Sequence, residues 1–321
     1  MKPFAYESAP SIDHVIAAIA DGGGARPLAG GTDLLTLMKP EIINPERLID
    51  IKRVAELTDE IETTEGLTIG ALTTLAQLEH HAYIKERYAA IAQASGLAAT
   101  PQLRNMATVG GNLLQRPRCW YFRNPHIDCW LKGGTDCPAR DGENGLHALF
   151  PADPCVAVHP SDLASALLAF DAELTVRGTS GERRLPLADF FALPADERRT
   201  EILLGTDELI TSIHVPEANA DTPSVYLKAM DRKVWAFALV GVAVMARMKD
   251  ERVVRARIVL SGVAPIPWRV PAAEERLVAG ASADEVAEVA VAGAQPLAHN
   301  AYKLPLAKAL IRRALESTTQ M

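Results

Sequence analysis

Arg26-Pro27-Leu28-Ala29-Gly30-Gly31-Thr32-Asp33-Leu34 sets a pair of glycines between a short extended stretch and the start of a helical pattern. A strand over 26–29 that turns at the glycines and enters a helix over 32–38 opens an α/β unit. Glycines at such a junction let backbone N–H groups approach a phosphate, and the start of a helix favours its negative charge. A Gly-Gly turn also serves as a plain tight turn, and the dinucleotide fingerprint G-x-G-x-x-G is absent. A second pair, in Ala107-Thr108-Val109-Gly110-Gly111-Asn112, again stands where a loop meets an apolar stretch. The two turns either grip one diphosphate from opposite sides or are unrelated.

Working outward, residues 11–24 read as a helix capped by Ser11, with Val15, Ile16 and Ile19 on one face and a glycine run at its end. Strands follow at 47–51 and 67–71 and helices at 75–81 and 84–95, with no internal repeat. A helix at 161–170 and a strand at 173–177 come next. Pro216 to Pro223 reads as a linker. Three strands (225–230, 240–248, 253–261) and three helices (near 272–278, 283–292 and 303–315) then suggest a separate small α+β domain.

With 321 residues, 48% of them apolar, and a formal charge of −7, the chain has the composition of a globular protein of about two domains. The acidic balance argues against nucleic acid as a partner. The longest apolar run, 235–248, ends in Arg247 and Lys249 and falls short of the about 20 residues a membrane span needs. Met1 to Pro10 carries no apolar core after its single lysine, so no signal peptide is expected. The cytoplasm is the default compartment; export on a partner's twin-arginine signal is the alternative, giving a periplasmic location.

All four cysteines, Cys119, Cys129, Cys137 and Cys155, fall between Arg116 and Pro160, a proline-rich stretch without periodicity. A loop this long inside a compact domain is functional or pinned by something. In a cytoplasmic protein such clustering reads as metal binding or redox chemistry, not a disulfide framework. The cysteines are separated by nine, seven and seventeen residues, and no zinc-type pair two to four residues apart is present. Four thiolates suffice for a [4Fe–4S] cluster, and this spacing does not exclude one; zinc and unligated thiols stay open on chemistry alone. His126 in the same loop is a further candidate ligand, but with four cysteines available it reads as a surface histidine. Trp120, Tyr121, Phe122 and Trp130 would shield a cluster, anchor the loop or face a partner. No nucleophile and base pair can be assembled, so no catalytic residue is assigned.

The motifs at 26–34 and 107–112, followed by His159-Pro160-Ser161-Asp162-Leu163 and Tyr226-Leu227-Lys228, occur in the order seen in the FAD-binding subunits of the xanthine dehydrogenase and molybdenum aldehyde oxidoreductase family, which the chain resembles over nearly its whole length. The likeness is greatest to the FAD subunit of bacterial three-subunit aldehyde oxidoreductases, which carries a cysteine-bearing loop here. The resemblance implies an α+β fold: a two-part FAD-binding domain of the vanillyl-alcohol-oxidase (PCMH) type over 1–220, with the cysteine loop at about 116–160, and a C-terminal domain over 221–321 with a three-stranded antiparallel sheet and helices.

It also implies residue roles. Ala29, Gly30, Gly31, Thr32, Asp33 and Leu34 would contact the FAD diphosphate, with Thr108, Gly111 and Asn112 on its other side. Asp162 would meet the ribityl and flavin end, unless it only caps the following helix. Leu209 and Ile210 would flank the isoalloxazine, and Lys228 would lie beside the ring, unless it is an ordinary strand lysine. Cys119, Cys129, Cys137 and Cys155 would hold a [4Fe–4S] cluster. The implied function is electron transfer from substrate oxidation on a large molybdenum-cofactor subunit, through a small [2Fe–2S] subunit, to FAD and an unidentified acceptor. The rival readings are a subunit of a 4-hydroxybenzoyl-CoA reductase-like enzyme and, from another class, a zinc-stabilised interaction subunit without flavin.

Overall fold

A computed structural model describes residues 1–57, 61–62, 65–219 and 221–319 of the chain. Ser11 caps the first helix, Ile12–Ala20, its hydroxyl accepting from the His14 N–H at 3.3 Å. Ile12, Val15, Ile16 and Ile19 are buried against a parallel sheet of β1 (Ala5–Ser8), β2 (Ala25–Leu28) and β3 (Arg47–Asp50), ordered β1-β3-β2. The expected strands at 26–29 and 47–51 are β2 and β3.

A second, antiparallel sheet has the order β4-β5-β8-β6-β7, from β4 (Ile61–Glu62), β5 (Leu67–Gly70), β6 (Glu173–Gly178), β7 (Gly181–Pro186) and β8 (Leu209–Val215). The helices at Leu75–His80, Ala82–Arg87, Ala89–Gly96 and Asp162–Ala169 contribute to its apolar core. β7, Gly-Glu-Arg-Arg-Leu-Pro, is almost wholly exposed and so carries no apolar alternation.

The C-terminal sheet is antiparallel, β12-β11-β10-β9, from β9 (Ser224–Ala229), β10 (Val240–Lys249), β11 (Arg252–Ser261) and β12 (Trp268–Arg269). The three expected strands are there. Two-residue β12 adds an edge too short for periodicity to reveal. The apolar run at 235–248 is largely β10, a strand buried on both faces. Val240, Val242 and Val244 join the C-terminal core beneath helices Pro271–Val278, Ala283–Val291 and Lys303–Thr319, while Ala243 and Met245 face the neighbouring core. Alternate residues of one strand thus serve two cores, so the strand is apolar throughout. No described helix is long and apolar enough to cross a membrane.

The stretch read as a linker is fastened down. Tyr88 donates its hydroxyl to the Pro216 carbonyl at 3.2 Å and accepts the Ala218 N–H at 3.3 Å. Ala220, the expected boundary residue, lies outside the described residues. Between Arg116 and Pro160 the regular structure is limited to two short helices, Trp120–Arg123 and Trp130–Lys132. The far end of this loop is held by the C-terminal domain: buried Lys303 donates to the carbonyls of His147 (2.9 Å) and Gly262 (2.8 Å). Asn300 donates to those of His147 (3.1 Å) and Ala148 (2.8 Å).

Candidate functional site

Between the parallel sheet and the start of β8 lies a cavity of about 450 Å³, and both glycine turns reach its wall. Gly31 sits at φ +70°, a left-handed conformation natural to glycine. Gly30 serves the junction of the two turns: a Cβ there would lie 1.7 Å from the Met106 carbonyl oxygen, so its bare Cα lets the second loop close on the first. Thr108 caps the helix Val109–Leu113 by accepting the Gly111 N–H at 3.3 Å. A Cβ on Gly111 would meet only the Thr108 hydroxyl, at 3.0 Å.

Of the residues expected to hold FAD, Ala29, Gly31, Thr32, Asp33, Leu34, Thr108, Gly111, Leu209 and Ile210 line this cavity. Gly30, Asn112, Asp162 and Lys228 are not among its lining residues. Asn112 accepts the Ser161 hydroxyl at 2.5 Å, and Ser161, not Asp162, caps the helix Asp162–Ala169. Asp162 and Lys228 form a buried ion pair at 2.7 Å, with side chains 4% and 1% exposed. Tyr226 donates to the other Asp162 oxygen at 2.6 Å and shares a hydrogen bond with Ser261. The Lys228 ammonium also donates to the Leu97 carbonyl at 3.0 Å, so its charge is spent inside the protein.

Asp33 joins the cavity to the cysteine loop. Its carboxylate accepts from Arg118 (2.7 Å), Arg123 (2.8 Å) and the backbone N–H of Arg116 (2.9 Å). The acid at the end of the glycine motif therefore clamps the loop, and two guanidinium groups offset its repulsion of an anionic ligand. Asp33→Asn should loosen residues 116–123 and cost about 1–3 kcal/mol. Faster tryptic cleavage of the loop and a lowered Tm are the expected results; identical digestion patterns would remove the clamp.

The four thiols share one neighbourhood. Cys119, Cys129 and Cys155 pack with Leu37, Phe122, Trp130 and Leu131, and Cys137 shares a hydrogen bond with Cys155. That bond pulls the Cys137 thiol down to about 6 and drives Cys155 up; burial pushes Cys119 up to about 11. Among the described residues, however, no group of three or more His, Cys, Asp or Glu side chains is arranged to hold a metal ion. Phe122 and Trp130 are buried around the thiols, Trp120 is exposed, and His126 lies on the surface. Sequence reasoning missed His147, whose Nε2 lies 3.2 Å from the Cys119 sulfur. It also missed Glu201, buried between the cavity-lining Thr200 and Ile202. Neither carries a local sequence signal, since each acquires its neighbours only through folding.

Residues 2–218 match the family described as the FAD binding domain in molybdopterin dehydrogenase, and residues 225–318 match the CO dehydrogenase flavoprotein C-terminal domain. The chain is 38% identical over 320 residues to the aldehyde oxidoreductase FAD-binding subunit PaoB of Escherichia coli (strain K12), with 98% of each chain covered. It is 28% identical to the carbon monoxide dehydrogenase medium chain of Hydrogenophaga pseudoflava, over 98% of this chain and 96% of that one. A solved structure of carbon monoxide dehydrogenase from the same organism superposes with a TM-score of 0.77 at 29% identity, covering 99% of this chain and 98% of that one.

Proposed function

The chain belongs to the FAD-binding subunits of the molybdenum-containing aldehyde oxidoreductase and xanthine dehydrogenase family, and from that premise we propose that it is the electron-transfer subunit of an aldehyde-oxidising complex. The observation that carries the reading is the cavity whose wall holds both glycine turns together. Its walls fit FAD: Gly31 and Gly111 put no side chain into it, and the helix that starts at Asp33 brings Thr32, Asp33 and Leu34 to its wall. FAD, when bound, supplies the exchange of single and paired electrons. In this reading Ala29, Gly31 to Leu34, Thr108 and Gly111 seat the diphosphate, and Leu209 and Ile210 flank the isoalloxazine. Gly30 supports the site through its contact with the second turn, Asn112 through its hydrogen bond with Ser161, and Asp162 and Lys228 through their buried ion pair. The FAD domain spans 1–220 and the C-terminal domain 221–321.

The finer proposal gives Cys119, Cys129, Cys137 and Cys155 a [4Fe–4S] cluster. Its support is the gathering of four thiols from distant loop positions into one buried neighbourhood; ligation would require them to draw closer. A large molybdenum-cofactor subunit and a small [2Fe–2S] subunit complete the proposed complex, in keeping with the medium-chain relatives. The test is FAD and iron content per chain in anaerobically purified protein. About one FAD and four irons are expected, each Cys→Ser change lowering iron, with no aldehyde turnover by the chain alone. Zinc without iron would overturn the cluster, and a colourless protein that takes up no FAD would overturn the whole reading.

A further inference from the structure

We propose that Arg116, the first residue of the cysteine loop, supplies the side-chain cation for the FAD diphosphate, and that Glu201 positions it. The proposal rests on the FAD reading above and adds two residues to the cofactor site.

The charged side chains of the cavity wall are mostly engaged elsewhere. Glu208 is held by Arg183 in two hydrogen bonds, at 2.7 and 2.8 Å. Asp33 is occupied by Arg118 and Arg123. Arg26 is exposed.

Arg116 differs from these. Its backbone N–H is pinned to Asp33, and its guanidinium lies over the Phe122 ring, 5.2 Å from the centroid. Its Nε is 3.2 Å from a Glu201 oxygen, but the angle makes no hydrogen bond: Nε and the second Glu201 oxygen, Oε1, are both buried without a hydrogen-bond partner. The guanidinium donates one long hydrogen bond, 3.4 Å from Nη2 to the Arg199 carbonyl. A group held at both ends, with donors unspent at a cavity wall, is prepared for an acceptor that arrives with the ligand.

Glu201 is 2% exposed and, unlike its neighbours Thr200 and Ile202, is not among the residues that line the cavity. Burial raises its pKa, and the Arg116 charge opposes that rise. Arg199 fixes the same segment to the cysteine loop through the carbonyls of Trp130 (2.7 Å) and Gly134 (2.8 Å). Arg116, Arg118 and Arg123 set against Asp33 and Glu201 leave one net positive charge beside the two glycine turns. A diphosphate matches both that charge and the planar donor fork of arginine.

The experiment is titration of the full-length chain, stripped of flavin, with FAD, ADP and riboflavin. Arg116→Gln should weaken FAD and ADP by about tenfold or more while leaving riboflavin unchanged. It should also flatten the salt dependence of FAD affinity. Arg116→Lys should fall between the two, because it keeps the charge and loses the fork. Glu201→Gln should weaken FAD less and retain the salt dependence. Wild-type FAD affinity in Arg116→Gln would overturn the proposal, as would equal loss of FAD and riboflavin, which would mean that the wall had collapsed. Failure of the wild-type chain to take up FAD or ADP would overturn the FAD reading and the proposal with it.

Discussion

Gly31→Val should yield a folded protein that purifies without FAD. At φ +70° a β-branched residue is a steric outlier, and such strain costs on the order of 1–3 kcal/mol. A Cβ at that place would also lie 3.1 Å from the side-chain tips of Leu28 and Leu35. The cheapest relief is to open the turn, which carries Thr32, Asp33 and Leu34 away from the cavity they line. Because the strain is local and the leucine tips can yield, the rest of the fold should persist.

Gly111→Val should reach the same end by another route. Gly111 is not among the positive-φ residues and lines the cavity; a side chain there crowds the Thr108 hydroxyl, 3.0 Å from its Cβ, and takes up the ligand's place. Flavin absorbance per chain, read beside far-ultraviolet circular dichroism, checks both. Full FAD occupancy in the two folded variants would end the diphosphate assignment.

Lys228→Met should cost about 3–5 kcal/mol, because it leaves the Asp162 carboxylate buried with its ammonium partner gone. The Tyr226 hydroxyl still donates to that carboxylate but cannot neutralise it. Adding Asp162→Asn should recover most of the loss, since the double variant buries no charge. Urea unfolding of the three proteins gives the coupling directly. If the single and double variants were equally unstable, the lysine stem's packing, not the ion pair, would be what stabilises the protein here.

Much of the architecture is legible in the chain because it depends on near neighbours. Ser11 with the 3.6-residue spacing of Val15, Ile16 and Ile19 gives the first helix, and Gly30-Gly31 gives the turn after β2. The confinement of all four cysteines to an aperiodic proline-rich stretch marks the loop. β1, exposed β7 and two-residue β12 left no mark, since their pairing partners lie far along the chain or their side chains face water.

The site divides along the same line. Sequence by itself determined which residues are glycine at the two turns, where the cysteines are, and the family to which their order belongs. Only the tertiary structure decided what each one does. It spent Asp33 on the cysteine loop, made Gly30 the contact between two turns, and buried Lys228 against Asp162. It also brought Arg116 and Glu201 together across 85 positions, and His147 to Cys119 across 28. Charges and hydrogen bonds are settled by whichever partner is nearest in space, and that distance is not written in the spacing of residues along a chain.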